Sequence, residues 1–274
     1  MYSLHKITVS VLFVFLSSSA SGGDPYHITV GADGAGMGSV FIMKSGFWSS
    51  FHNQALLAGN KALSAGINYE NRFNISELGT RSAGLIIPAG SASLGIIYSR
   101  FGYYHFRREL GGISCGMALS ENIAAGVQVD YFSERTSGEY ENRQSVTFEA
   151  GLLILPKESI TIGIHIFNPV PNSLRKTFLP SVIRAGAGIK LSKVLSAGAE
   201  AEMSSGEKLI IRSGFEYEVF EKFLLRGGFC TENTSFSFGL GYILKSLQLD
   251  LGFATHEKLG ITSSASLIFK IRYK

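Results

Sequence analysis

The sequence is short of charged residues and of long apolar runs. Only 17% of its 274 residues are charged, against about a quarter in soluble proteins, while 45% are hydrophobic. Beyond the first twenty residues, no stretch approaches the roughly 20 apolar residues that a membrane-spanning helix needs. These shortages argue against an ordinary soluble protein and against a helical membrane protein. The apolar residues are instead spread over many short segments.

The sequence also lacks the residue patterns that several classes of function require. The formal net charge is +4 and is scattered along the chain, so nucleic acid is not a predicted partner. The two cysteines, Cys115 and Cys230, fall on opposite faces of alternating segments, which argues against a disulfide between them. No spacing suggests a metal site. No catalytic constellation is present, and Gly34 to Ser39 is not a dinucleotide fingerprint. We therefore predict neither an enzyme nor a cofactor.

The first twenty residues have the three parts of a secretory signal peptide. Lys6 supplies the positive charge, residues 9–16 form a short apolar core, and Ser18 and Ala20 form a small-residue cleavage site. The alternative is a membrane anchor, but the apolar core is too short to span a bilayer. We predict cleavage after residue 20.

From residue 61 to the end, apolar and polar residues alternate with a period of two. Ile160, Ile162 and Ile164 occupy one face of such a segment, with Thr161 and Gly163 on the other. Each segment is near the length that a tilted strand needs to cross a bilayer. We predict about fourteen strands, near residues 61–70, 78–87, 91–100, 108–119, 121–133, 144–155, 159–167, 180–190, 193–204, 207–219, 222–231, 234–244, 246–256 and 258–273.

The two faces of these strands differ in a way typical of transmembrane barrels. The polar face is rich in glycine and serine, whereas the apolar face carries bulky side chains, as expected when lipid lies outside and a lumen inside. A soluble sandwich also alternates, but its bulky faces would pack on each other. We predict that residues 61–274 form a monomeric antiparallel outer-membrane β-barrel in contact with lipid. Short connections after even-numbered strands indicate that both termini are periplasmic.

The stretch from residue 31 to residue 59 does not follow the strand pattern. It opens with four glycines in eight residues, and Phe47, Phe51 and Ala55 then recur at helical spacing. A barrel of about fourteen strands has a lumen too wide for side chains alone to fill. We predict that residues 21–60 form a hatch that folds into this lumen as a plug.

The same stretch resembles a known protein family. The run GADGAGMGSVF, followed by W-x-x-F-x-N-Q-A-x-L-A, is similar to the N-terminal signature of the FadL superfamily of outer-membrane barrels, and most of all to PorV/PorQ-type barrels. Gln54 and Leu56 replace the proline and glycine usual there. The resemblance implies that the hatch is formed around Gly36, Met37, Gly38, Trp48, Phe51 and Asn53.

Two functions follow from this resemblance. The first is an interaction barrel that serves type IX-type protein secretion or surface-protein presentation, with other secretion or surface proteins as partners. The alternative is a FadL-like passive transporter of small hydrophobic molecules. The longer outer connections, near 101–107, 134–143 and 168–179, all fall in the first eight strands and favour the interaction barrel.

Charged side chains of both signs fall on the face predicted to line the lumen. They can form a mutually neutralising network that holds the plug, or a substrate path or proton-linked gate. The network is predicted to contain Asp130, Glu149, His165, Arg184, Glu200, Glu202, Arg212, Glu216, Arg226, Asp250 and Lys270.

Aromatic residues and arginines are interleaved between the third and fourth predicted strands. Phe101, Tyr103, Tyr104 and Arg107 belong either to an aromatic girdle at the membrane interface or to a rim that docks a partner protein. The sequence leaves both interpretations open.

Overall fold

Fourteen strands form one closed antiparallel barrel in the computed structural model. Each strand pairs with its neighbours in the chain, and β1 closes the barrel against β14. The strands are β1 Leu63–Asn71, β2 Gly79–Ala89, β3 Ala92–Gly102, β4 Phe106–Ala118, β5 Ile123–Thr136, β6 Arg143–Lys157, β7 Ile160–Phe167, β8 Val182–Lys190, β9 Leu195–Ser204, β10 Ile210–Phe220, β11 Phe223–Cys230, β12 Ser235–Leu244, β13 Leu247–His256 and β14 Gly260–Ile271.

The structure describes residues 29–137, 142–170, 179–205 and 207–271. The predicted signal peptide, the first part of the predicted hatch and parts of two predicted outer loops lie outside these ranges. Within them, no helix is long and apolar enough to cross a membrane.

The period-two alternation predicted from the sequence separates two environments. On β5, Val127 and Val129 are 60% and 58% exposed on the outer wall, whereas Gln128 and Asp130 are buried on the inner side. The same alternation runs round the barrel, because successive side chains of a strand point to opposite faces. The outer wall is therefore apolar and the inner wall polar, as predicted for lipid outside and a lumen within.

Connections differ in length between the two ends of the barrel. The end that carries residues 90–91, 119–122, 158–159, 191–194, 221–222 and 245–246 is called the short-turn end; the opposite end, which carries 72–78, 137–142 and 168–181, is called the long-loop end. The predicted loop 101–107 is wrong: β3 continues to Gly102 and β4 begins at Phe106, so only residues 103–105 connect them.

Residues 29–60, called here the N-terminal segment, are almost entirely buried. The segment contains the short helix α1, Ala32–Ala35, and two 3₁₀ helices, Phe47–Phe51 and Gln54–Gly59. The continuous helical spacing predicted from Phe47 to Ala58 is therefore broken at residues 52–53. The break occurs because Asn53 adopts an extended backbone and its side chain accepts a hydrogen bond from the Ala55 amide, 3.1 Å away, which starts a new helix.

Glycines of the inner wall let this segment approach the strands at backbone distance. Gly116, Gly126 and Gly151 are register partners on β4, β5 and β6. A Cβ atom built on Gly126 would lie 2.4 Å from the carbonyl carbon of Gln54, and one on Gly116 would lie 2.1 Å from the Gln54 oxygen. Such distances are closer than any real Cβ contact, so only glycine fits at these positions.

A second row of glycines runs along the opposite side of the lumen. On β10, a Cβ atom at Gly214 would lie 2.2 Å from the Met37 carbonyl oxygen. Gly38 itself has a φ of 72°, in the left-handed region that favours glycine, and it passes against the same strands. The row consists of consecutive register partners on β8 to β11: Gly188, Gly198, Gly214 and Gly228.

A substitution at the first row tests whether this close approach stabilises the barrel. We expect Gly126→Val to lower the free energy of unfolding by about 1–3 kcal/mol, because its side chain would overlap the backbone of Gln54. Urea unfolding in lipid vesicles, followed by tryptophan fluorescence, measures this. The matched control is Gly111→Val on β4, where nothing lies within 4 Å of the added Cβ. Equal stability of the two variants would contradict the packing described here.

Candidate functional site in the barrel lumen

Serines of the inner wall bind backbone amides of the N-terminal segment. The Ala32 amide donates to Ser266 Oγ on β14 at 2.8 Å, and the Gly38 amide donates to Ser237 Oγ on β12 at 2.6 Å. Buried amides need partners because each one left unpaired in a dry interior destabilises the fold. Glycine and serine on the inner face thus perform two tasks: glycine gives space and serine gives acceptors.

Glu200 on β9 binds the segment most directly. Its Oε2 atom accepts hydrogen bonds from the amides of Phe41 and Ile42, at 2.9 and 3.2 Å. The other carboxylate oxygen pairs with Arg184 on β8, and Arg212 on β10 lies 3.7 Å from it. Glu200 therefore links the segment to the wall while its charge is balanced on both sides.

Strand alternation explains how these charges meet. Glu200 and Glu202 are two residues apart on β9, so both face inward, and register places Arg212 opposite Glu200 and Arg184 opposite Glu202. Arg212 also donates to Glu202 at 2.9 Å. All four side chains are buried. These four members of the predicted network form a ladder of two acids and two arginines.

A second group of charges surrounds Arg226 on β11. Its guanidinium donates to Glu216 on β10 at 2.6 Å and to Asp250 on β13 at 2.7 Å. To reach Asp250 it crosses β12, where the absence of a side chain at Gly241 leaves room: a Cβ there would lie 2.7 Å from the Asp250 oxygen. The glycine therefore permits an ion pair between strands that are not neighbours.

The N-terminal segment joins this second group through its own charges. Lys44 lies 3.1 Å from Asp33, within the segment, and 3.1 Å from Glu216 on the wall. Burial raises the pKa of the Asp33 carboxyl, but the positive charges of Lys44 and Arg226 outweigh it, so the net pKa lies below the usual value. Asp33 is therefore held as a carboxylate within a balanced cluster.

The remaining predicted lumen residues form smaller contacts. Glu149 on β6 accepts hydrogen bonds from Gln54 of the segment at 2.7 Å and contacts His165 Nε2 at 2.9 Å. Asp130 is bonded to Gln128 at 2.9 Å. Lys270 donates to the Gln248 side-chain oxygen at 3.4 Å, and within the described ranges it joins none of the ion pairs. Among the described residues, no cluster of histidine, cysteine, aspartate or glutamate is arranged to hold a metal ion.

Sequence reasoning missed the charged members of the segment itself. Asp33 and Lys44 are the only charged residues between Gly31 and Asn60, and they have opposite signs. Two opposite charges in an otherwise apolar, glycine-rich stretch were the available signal, since buried charges are normally paired. His52 was missed as well: its buried ring stacks on Phe41, with centroids 3.7 Å apart, and contacts the Val30 oxygen at 2.7 Å.

The aromatic hatch residues lie in an apolar column inside the barrel. Trp48 is 1% exposed and packs edge-on against Phe47 and tilted against Phe51. Leu179, from the connection before β8, and side chains of the inner wall continue the column from near the short-turn end to the long-loop end. The wall residues are Ile86, Ile268, Ile97, Leu110, Phe132, Phe167 and Val182. The Trp48 indole nitrogen is buried and has no hydrogen-bond partner among the described residues. The lumen thus offers a continuous apolar lining beside its charged ladder.

The structure separates the four residues predicted to form a partner rim. Phe101 is half-buried on the inner side of β3, where its ring lies 6.4 Å from that of Phe106. Arg107 lies on β4, on the outward set with Glu109. Tyr103 and Tyr104 alone are strongly exposed, at 43% and 86%. Strand alternation turns the other two to opposite walls, and a partner rim at the tyrosines stays a prediction.

The fold is similar to solved transport barrels. The toluene transporter TbuX of Ralstonia pickettii matches with a TM-score of 0.68 at 12% identity, over 91% of this chain and 100% of that one. The CymD monoaromatic hydrocarbon channel gives 0.70 at 12%, over 90% and 99%. A Pseudomonas aeruginosa FadL homologue gives 0.62 at 12%, over 89% and 97%.

The chain has the fold of these FadL-type barrels. At 12% identity the similarity concerns the fold alone. No family model and no curated protein sequence matches the chain.

The single tryptophan allows the anchoring role of Glu200 to be tested. We expect Glu200→Ala to loosen the N-terminal segment, because the amides of Phe41 and Ile42 lose their acceptor. The substitution also removes the Glu200 carboxylate from the buried Arg184 guanidinium. Acrylamide should then quench Trp48 fluorescence more strongly. The control is Glu221→Ala in an exposed turn. Unchanged quenching in the Glu200 variant would contradict this anchoring.

Proposed function

We propose that this protein is an outer-membrane barrel that passes small hydrophobic molecules, with the N-terminal segment as its movable hatch. The apolar outer wall supports a membrane location, since lipid-facing strands carry alternating bulky apolar residues. The similarity to FadL-type barrels supports the same location. It also favours the transporter over the type IX-associated interaction barrel.

The observation that carries the proposal is the apolar column in the lumen. A hydrophilic pore needs a polar, water-filled interior, whereas this interior contains, beside its charged groups, a column of isoleucine, leucine, phenylalanine and tryptophan. Apolar pockets with few polar groups are typical of sites for hydrophobic ligands. The column is also occupied by Phe47, Trp48 and Phe51, so a molecule can pass only if the segment shifts.

The contacts of the segment suggest which part moves. Its first half is fixed to β9–β14 by Glu200, Glu216, Ser237 and Ser266. Its second half, from residue 47, has no Lys, Arg, Asp or Glu and contacts the wall through apolar side chains and through the Gln54 backbone beside the glycines of β4 and β5. Its hydrogen bonds to the wall join Gln54 to Glu149, Asn53 to the Leu152 oxygen and Ser93 to the Asn60 oxygen. We propose that the half from 47 to 59 swings or repacks during passage, while residues 32–44 stay anchored by charge.

The substrate class follows from the column. It contains aromatic rings and branched aliphatic side chains and no charged ones, which fits uncharged apolar molecules. Two structural neighbours are described as a toluene transporter and a monoaromatic hydrocarbon channel. We propose toluene as a first probe of this class.

The interaction barrel is retained as a second candidate because of one feature. Tyr104 is 86% exposed at the long-loop end, and tyrosine is enriched at protein interfaces. Strands β4, β5 and β6 are also the longest, at 13, 14 and 15 residues, so the barrel wall extends further on that side. A docked secretion or surface protein would contact Tyr103 and Tyr104.

Uptake by cells tests the two candidates. We expect cells that express the full chain in their outer membrane to take up radiolabelled toluene several-fold faster than cells without it. Phe132→Asn should slow this uptake, because it places an amide in the apolar column. The matched control is Tyr131→Asn, the adjacent residue, which is 46% exposed on the outer wall.

The outcome separates transport from docking. Uptake equal to that of cells without the protein would overturn the transporter. If Tyr103→Ser with Tyr104→Ser abolished co-purification of a surface protein while toluene uptake never exceeded background, the interaction barrel would replace it. Heat-dependent electrophoretic mobility confirms that each variant is folded.

A further inference from the structure

A basic patch lies on the outer wall near the long-loop end. Arg81 on β2 and Arg100 on β3 are register partners, and so are Arg107 on β4 and Arg135 on β5. Strand alternation turns all four to the outside, in line with exposed residues such as Tyr98 and Tyr131. Two pairs of like charges directly opposite each other on one surface destabilise a sheet unless an anion lies between them.

The patch is short of acids that could neutralise it. Glu109, the acid in register with Arg100, instead accepts a hydrogen bond from Tyr98 at 3.0 Å and lies 3.8 Å from Arg107. Among the residues that the structure describes, no carboxylate lies within 4.0 Å of Arg81 or Arg100. The Nε atom of Arg100 is buried and has no hydrogen-bond partner in those residues. Arg81 has its guanidinium 5.8 Å from the Tyr69 ring.

An apolar groove begins beside this patch. It has a volume of 730 Å³ and crosses the outer wall from β13 to β3. Arg81 borders it, while Ala83 and Ala265 leave gaps between the larger side chains of Ile67, Tyr98 and Leu249. All of these residues belong to the outward set of their strands. The groove therefore opens to the membrane side of the wall.

We infer that the groove and the patch together form a binding site for an anionic phospholipid of the surrounding membrane. The phosphate binds between Arg81 and Arg100, and an acyl chain lies in the groove beside Ala83 and Ala265. Arginine suits this task because its guanidinium matches phosphate geometry and remains charged. This inference rests on the membrane location given under Proposed function, but it does not depend on transport.

Lipid titration of the purified full-length barrel tests the site. Native mass spectrometry would compare phosphatidylglycerol, which is anionic, with phosphatidylcholine, which is zwitterionic. We expect phosphatidylglycerol to bind about tenfold more tightly, because both lipids present a phosphate but only phosphatidylcholine brings a choline cation close to the arginines. The double variant Arg81→Gln, Arg100→Gln should lose this preference. The control Lys157→Gln, Lys193→Gln removes two charges at the short-turn end and should keep it.

A groove-filling variant locates the acyl chain, and competition with inorganic phosphate distinguishes a lipid site from a site for a free anion. Ala83→Phe, which fills the groove, should weaken both lipids while keeping the preference for the anionic one. Equal binding of the two lipids, or a preference that survives in the arginine double variant, would overturn the inference. So would full competition by inorganic phosphate, which would indicate an anion site without a lipid. Because the titration involves no passage of solute, failed toluene uptake with retained lipid preference would overturn only the transporter.

Discussion

The fold depends on the contact between the backbone of the N-terminal segment and two rows of glycine on the inner wall. A side chain at Gly126 or Gly214 would overlap the segment's own main chain. These two positions therefore cannot carry larger residues without displacing the segment. The same close approach brings the segment's amides within hydrogen-bonding distance of wall serines. The number of strands gives the lumen enough width to hold the segment.

Charge fixes the segment in one orientation within this space. Glu200 binds two successive amides near residue 41, and Lys44 binds Glu216, so only one placement of the chain satisfies both. Since each buried arginine has acidic partners on adjacent strands, the ladder is stable as a unit, and removal of one member leaves an uncompensated charge. The apolar column needs no such pairing, and for that reason we propose movement there and not at the ladder.

Much of this could be predicted from the sequence. The period-two pattern predicted about fourteen strands, because within each strand alternate side chains face lipid and lumen. The inward position of Glu200 and Arg212 followed from the same alternation. The break at Asn53 could not be predicted, since helical spacing of Phe47, Phe51 and Ala55 does not distinguish one helix from two 3₁₀ turns. The alignment of glycines into rows depends on the register between strands, which no single strand encodes.

A disulfide between the segment and the wall tests the central claim most directly. Cβ atoms at Met43 and Gly188 would be 3.9 Å apart, within the range of disulfides. With Cys115 and Cys230 replaced by serine, Met43→Cys with Gly188→Cys should oxidise to one intramolecular disulfide, seen as a mass loss and a shift on non-reducing electrophoresis. The pair Met43→Cys with Ile189→Cys, on the outward face, should not. Failure of the first pair, or equal reaction of both, would contradict a segment packed inside the barrel.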